Sequence, residues 1–490
     1  MKHNLILHTI LWAVPAFLIL PGCSKMLDKT PVTQVVTKTD STSISASDAE
    51  NLILGVYTAY KGYDNGLEFN VLDRITNADV TSDNCYSGGD NPDNITIDIF
   101  KANALNGNIG RDWNDAFVMI GKANSAIAQV AASTDPALTA GRKGQILGEA
   151  RFMRAFTYFD LVRLWGKVPI MLTPPDQSNS ENLIKSVLVP QSSVDSVYQT
   201  ILNDLWFARS TVADPGANSS KFIVSKGAVN AILAKVYATR SPANWDSVAY
   251  YCDQVIPNYS LVPDFHYLWD NNHKNNSEAI WEINYFGYGA GDEIGNWIPS
   301  QFIGDGWKKF ETPTNDLINT YTSEGDTLRL NASVSFVSYG WDDSYWKNKN
   351  SFPILSKYND PTNGINDFYF IRLADILLLR AEAYNGKGDY TDAATIVNQI
   401  RARAKLGPTP AANTDDMALA IEKERRLELA FEGHRWFDLL RTGRALAVMN
   451  AQKDGNGNSL NYNVQPYQLL FPIPQTQLDL NPLLTQNPGY

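Results

Sequence analysis

The sequence predicts a mostly α-helical protein, a tetratricopeptide-like helical-repeat scaffold with an irregular, loop-rich ligand face containing a few short strands. Three observations predict it. Helical periodicity recurs in consecutive pairs, one pair carries a repeat signature, and residues 277–370 break the pattern with Gly, Asn, Asp and aromatic residues. With 44% hydrophobic and 19% charged residues over 490 positions, the composition is that of a globular protein rather than a disordered chain. A net charge of −11 with no Lys/Arg run argues against a nucleic-acid partner, which needs a basic surface to track phosphates.

The first element is a leader. Lys2 precedes a mostly apolar stretch, Leu5 to Leu20, interrupted by Pro15, which reads as a signal peptide over residues 1–22 rather than a spanning helix. It ends on Leu20-Pro21-Gly22-Cys23, which resembles a bacterial lipobox and implies acylation of the Cys23 thiol. Several buried acyl chains, at about 0.8 kcal/mol per CH₂, would hold the chain on a membrane surface. A Thr/Ser-rich tether follows over 23–46. Only Cys85 and Cys252 remain as thiols, enough for one disulfide but not for a disulfide scaffold.

Ser47-Ala-Asp-Glu50 has the form of a capping box and opens a helix to about Tyr60. Residues 61–110, dense in Asn, Asp and Gly, read as long loops. Helices are predicted over 113–131 and 141–164, the second stopping at Gly166 with Pro169 beyond, then over 193–212, 225–240 and 247–256. A strand is predicted over 278–285, and later helices over 371–385, 390–405, 415–431 and 434–449. Tyr384, Gly388, Tyr390 and Ala393 have tetratricopeptide spacing: the glycine for the interhelix turn, the alanine for close helix approach, the tyrosines for the wedge.

Several segments in order carry a resemblance. They are Glu149 to Phe159 running on to Trp165-Gly166 and Val168-Pro169, Ser225 to Tyr237, Arg372 to Glu382, Glu424 to Arg441, and Leu470-Phe-Pro472-Ile-Pro474 with the terminal Gln486 to Tyr490. Together with Cys23 they resemble the SusD/RagB family of Bacteroidetes outer-membrane lipoproteins over nearly the whole mature chain. The resemblance implies an N-terminal region over 47–270 and a C-terminal region over 271–490, packing as one globular unit. It also implies a non-enzymatic, lipid-anchored, surface-exposed subunit that binds oligosaccharides and hands them to a SusC-like TonB-dependent transporter. No cofactor is implied. Some relatives handle peptides instead, so a peptide ligand is the alternative, and a secreted glycoside hydrolase a more distant one.

Residues 281–346 hold 14 aromatics, about twice the chain-wide 11%. Trp281 lies in the strand-like run and is expected in the core, whereas Trp297, Trp307, Trp341, Tyr345 and Trp346 stand among Gly, Asp, Asn and Ser. Rings on loops present flat apolar faces that suit the C–H face of a pyranose, with neighbouring polar groups pairing its hydroxyls. Asn77, Asp79, Asp83, Asn84 and Tyr86 are expected to complete the platform, Asn84 and Tyr86 foremost. Glu424, Glu428 and Glu432, interleaved with arginines over 424–441, read as an inter-helix ion-pair network with lowered carboxylate pKa values rather than as a catalytic pair. Asp454-Gly-Asn456-Gly-Asn458 lacks the Gly and Glu of a calcium loop and reads as a polar turn. No metal site is expected, Asp90, Asp93 and Asp98 being the residues nearest to one.

Overall fold

Side-chain caps start the helices, and their apolar faces pair them. α1 (Ala46–Ala59) begins on a capping box made by Ser45 and Asp48, two residues before the expected one. α2 (Leu72–Asp79) and α3 (Pro92–Asp98) follow. α4 (Gly107–Ala132) and α5 (Ala140–Trp165) are long antiparallel partners, capped by Asn106 and Thr139. After α6 (Ser180–Val187), α7 (Val194–Thr211) packs on α5, and α8 (Lys226–Thr239) pairs with α9 (Trp245–Val255). Short α10 (Ile298–Phe302), α11 (Asn315–Glu324) and α12 (Thr327–Ser333) punctuate the irregular region. The C-terminal part contributes α13 (Leu373–Gly386), α14 (Tyr390–Arg403), α15 (Thr414–Glu428), α16 (Arg435–Arg441), α17 (Ala445–Asn450) and α18 (Gln475–Leu480).

This computed structural model describes residues 43–62, 67–216, 220–288, 295–303, 308–339 and 343–490, with Ser43–Tyr490 one compact unit. The leader, Cys23, Trp307 and Trp341 lie outside the described residues, as does the tether up to Thr42. None of the described helices is long and apolar enough to cross a membrane.

The strands are short: β1 (Cys85–Tyr86), β2 (Val168–Pro169), β3 (Gln191–Ser192), β4 (Ala279–Ile283), β5 (Thr312–Pro313), β6 (Val334–Val337), β7 (Phe352–Leu355) and β8 (Phe368–Arg372). They form antiparallel pairs β1–β5, β2–β3, β4–β8 and β6–β7. The protein is thus mostly helical with a few short strands, as the sequence predicts. Trp281 on β4 is fully buried between Phe152, Phe156 and Phe370.

At the tetratricopeptide-like hairpin, Gly388 turns at φ +90°, Asp389 caps α14, and Ala393 is buried where α14 meets α13. Tyr384 fills the wedge beneath the Arg380 guanidinium, but Tyr390 is 37% exposed, because it opens α14 on the outer side.

Three expectations are corrected. Residues 61–110 are not simply long loops, since every residue of α2 is buried. Their polar side chains are held internally: Asn70 donates to the Ala59 carbonyl, Asn77 to Asp112, and Asp73 pairs with Arg111. Polar composition therefore did not mean exposure. The helix expected over 415–431 stops three residues early. α15 ends at Glu428, the chain turns through Phe431 and Gly433 at φ +65° and +74°, and α16 starts at Arg435. The helix expected over 434–449 is likewise divided at Gly443, φ +71°. Cys85 and Cys252 are buried free thiols, so the possible disulfide does not form.

Candidate functional site

Two constructions meet around β1. The first is a buried charge network beneath the loop-rich face. Arg372, at the end of β8, donates to Glu432 (2.7 and 2.8 Å), Glu278 (2.8 Å) and Glu428 (2.6 Å). Arg329 pairs with Asp326, Glu424 and Glu428, Arg403 with Glu278 and Glu428, and Lys357 with Glu432. Burial alone would raise these carboxyls. The arginines around Glu428 overcome that and hold it well below the usual range, and Arg372 and Lys357 hold Glu432 down. Glu424 is the exception, its burial outweighing Arg329 and Arg401. Every carboxylate of this network faces a cation, which is ion-pair architecture. His434, pushed down to about 3 by burial beside Lys235, stays neutral near pH 7.

The network reaches β1 through Arg426 and Arg435. Arg426 donates to the Asn84 side chain (3.0 Å) and the Asp83 carbonyl (2.6 Å), and Arg435 clamps the Asp83 carboxylate at 2.6 and 2.8 Å. Against the upward push of burial, these arginines bring Asp83 down to about 2. Asn84 is 1% exposed, so it anchors the strand that carries Tyr86. Asn77 and Asp79 are buried as well. Burial raises Asp79 and Glu311, which face each other beside the Cys85 thiol.

The second construction is aromatic. The Tyr86 ring stacks on Tyr345 with centroids 3.9 Å apart and planes 14° from parallel. The Tyr86 hydroxyl donates to Asp343 (2.7 Å), whose other oxygen accepts from the Tyr345 and Trp346 backbone N–H groups (3.0 and 2.5 Å). Asp343 thus folds its own turn and fastens it to β1. The Tyr345 hydroxyl accepts from the Asn315 N–H, and the partly buried Trp346 indole donates to the Ser351 carbonyl at 2.9 Å. Gly455 closes against this turn, where a Cβ would stand 2.3 Å from the Trp346 ring. Behind it Asp98 accepts from the Ser87 N–H (3.0 Å) and Tyr462 hydroxyl (3.2 Å), and burial near Asp343 pushes it up to about 7.

Tyr86, Tyr345 and Trp346 are therefore brought together, but Tyr86 and Tyr345 are buried at 4% and 5% exposure, their faces spent on each other rather than offered to a ligand as expected. Described residues that follow Trp307 and Trp341 in sequence lie beside these three. Lys308 leads into β5, which pairs with β1, and Asp343 is bonded to Tyr86 itself. Trp297 stands elsewhere, 5% exposed at the start of α10, its indole N–H buried with no hydrogen-bond partner among the described residues. Sequence reasoning missed Asp343 and Tyr462 and singled out Asp98 only as one of the residues nearest to a metal site. The Asp at 343 followed two and three residues later by Tyr and Trp is an Asx-turn pattern that could have revealed the first.

Among the described residues no cluster of His, Cys, Asp or Glu could hold a metal. Asp93 accepts from the Gly107 N–H and Asp98 is engaged as above, while Asp454 accepts from the Asn456 and Asn458 N–H groups in a polar turn.

Comparison with known proteins gives a consistent result. A family model described as "SusD family" matches residues 329–490, and one described as "Starch-binding associating with outer membrane" matches residues 25–238. SusD-like protein P2 of Formosa agariphila is 28% identical over 428 residues, covering 79% of this chain and 81% of its own length. SusD-like protein P25 of the same organism is 25% identical and covers 96% and 97%. Among solved structures, a "Laminarin binding SusD-like protein" superposes with TM-score 0.74 at 23% identity, covering 91% of this chain and all of its own. "Surface glycan-binding protein A from Bacteroides fluxus" gives 0.75 at 24%, with the same coverage.

Proposed function

The chain belongs to the SusD family, and on that premise we propose that it is a non-enzymatic glycan-capturing lipoprotein of the outer membrane. It would bind oligosaccharides and deliver them to a SusC-type TonB-dependent transporter. The leader over 1–22 would be removed, Cys23 acylated, and the tether would hold the binding body off the membrane surface. The names of the laminarin-binding and surface glycan-binding neighbours support a saccharide ligand.

The observation that carries the reading is the Tyr86–Tyr345 stack fastened by Asp343, with Trp346 on the same turn. The two tyrosines form the buried footing of an aromatic shelf and hold the partly buried Trp346 in place for a ligand, and ordering before binding lowers the entropy cost of capture. Trp307 and Trp341, close in sequence to Lys308 and Asp343, would extend the stacking surface. Asn84 would support it from within, whereas Trp297, buried at the start of α10, would not belong to it.

One observation bears on the hydrolase reading. Asp98, pushed up by burial, and Asp343 both adjoin the shelf, and glycosidases use carboxyl pairs. Yet both oxygens of each carboxyl accept hydrogen bonds from the protein, which favours a structural role.

Calorimetry against a panel of neutral oligosaccharides, with oligopeptides as comparison, tests the reading. Single alanine changes at Trp307, Trp341 and Trp346 are expected to weaken saccharide binding with the fold intact. Unchanged affinity in all three, or release of reducing ends from a bound glycan, would overturn it.

A further inference from the structure

Far along the chain from the shelf residues, α7, α8 and α9 carry a second aromatic surface. Trp206 is 41% exposed and Tyr250 50%. Both are held in place: the Trp206 indole donates to the Tyr251 hydroxyl (3.3 Å), Tyr251 lies parallel to Tyr237 (13°), and Tyr250 meets Tyr251 edge-on with centroids 5.0 Å apart. With its N–H turned inward, Trp206 offers the solvent a ring face.

The cations here differ from those elsewhere. Among the described residues every arginine has a carboxylate within 4.0 Å except Arg209 and Arg240. Arg209 donates instead to the Asn230 side chain (2.8 Å) and the Tyr250 hydroxyl (3.3 Å), over the Tyr250 and Tyr251 rings. Arg240 lies over Tyr198 at the other end of α8. Nearby acids are taken: Asp204 by Arg154, Asp246 by Lys387 and Asp253 by Arg380. Asp195 opens α7 near the Tyr198 end, so the Arg209 end is the more cationic. Asn230 lies in the first half of α8 and Arg240 just beyond its end, so the two arginines stand near opposite ends of that helix.

We propose that this face is a second binding site, for an anionic saccharide chain bearing carboxylate or sulfate groups. Fixed rings would stack on sugar faces, while Arg209, a planar fork without a carboxylate partner, would take the anion in a bidentate pair. The proposal goes beyond the shelf and does not need it.

Affinity electrophoresis of the mature full-length chain tests it, in gels containing a polyuronate, a sulfated glucan, the uncharged glucan or polyglutamate. Retardation by the polyuronate or the sulfated glucan, weakened by added salt, is expected, and the arm that responds identifies the anion. Arg209→Gln and Trp206→Ala should each weaken it by about threefold or more, with Arg209→Lys between, because a lysine keeps the charge but loses the fork. Arg209→Gln should lower retardation by the anionic chains more than by the uncharged glucan and Trp346→Ala the reverse, so failure of the shelf and failure of this site are told apart. Equal retardation of wild type, Arg209→Gln and Trp206→Ala, all with native melting curves, would overturn the proposal. So would retardation by polyglutamate as strong as by the saccharides, because the rings would then contribute nothing.

Discussion

The network around Arg372 and the shelf around Tyr86 adjoin each other, yet they are built on opposite rules. In the network each buried charge faces partners brought from distant parts of the chain, so removing one strands the others. In the shelf the rings are fastened by one turn-forming carboxylate and backbone groups, so a ring can be removed while its support stays. The first holds the fold, and the second is a buried tyrosine stack that fixes the partly buried Trp346. Buried carboxyl groups behave differently in the two places: Glu428 among arginines is held far down, whereas Asp98, with no cation beside it among the described residues, is pushed up to about 7.

This contrast can be broken or sharpened by four changes. Arg372→Met leaves Glu278, Glu428 and Glu432 buried beside fewer cations, and urea unfolding should show a loss of about 3–5 kcal/mol. Asp98→Asn acts through pH. Burial pushes Asp98 up to about 7 from the 3.8 of a free aspartate, so the folded state holds the proton more tightly. Its contribution is full below about pH 4, declines as pH rises towards 7, and becomes a constant penalty above. Asp98→Asn should therefore flatten that part of the stability–pH curve and stabilise the protein at pH 8 by roughly 1–3 kcal/mol. Trp346→Ala should cost about 1–2 kcal/mol in thermal unfolding while weakening saccharide binding about tenfold in calorimetry. Lys423→Ala, at the exposed rim of the network beside Glu324, should cost less than about 1 kcal/mol and show that only the buried part matters.

Much of the frame was readable because its signals are local. Gly166 ends α5 within one residue of the expected stop, and Gly388 makes the α13–α14 turn where the repeat spacing requires one. Trp281 could be assigned to the core from its apolar neighbours. The ion-pair role of Glu424, Glu428 and Glu432 was also readable, since like charges so spaced need cations from elsewhere. The burial of α2 was hidden, because an Asn/Asp-rich segment reads as solvated unless its distant partners are known. The break after Glu428 was hidden too, as Phe431 takes a positive φ that only the surrounding packing supports. At the candidate site the sequence marked the aromatic residues but could not say which would meet. Tyr86 and Asp343 are 257 positions apart.

The chain alone determined where helices begin and end, that they come in pairs, and which family its ordered motifs resemble, because caps, glycine stops and apolar periodicity act over a few residues. Only the tertiary structure decided that Asn84 anchors rather than faces solvent, that Tyr86 lies on Tyr345, and that Arg209 and Arg240 keep no carboxylate. Those outcomes depend on which groups packing brings within hydrogen-bond or ion-pair reach, and that reach spans hundreds of residues along the chain.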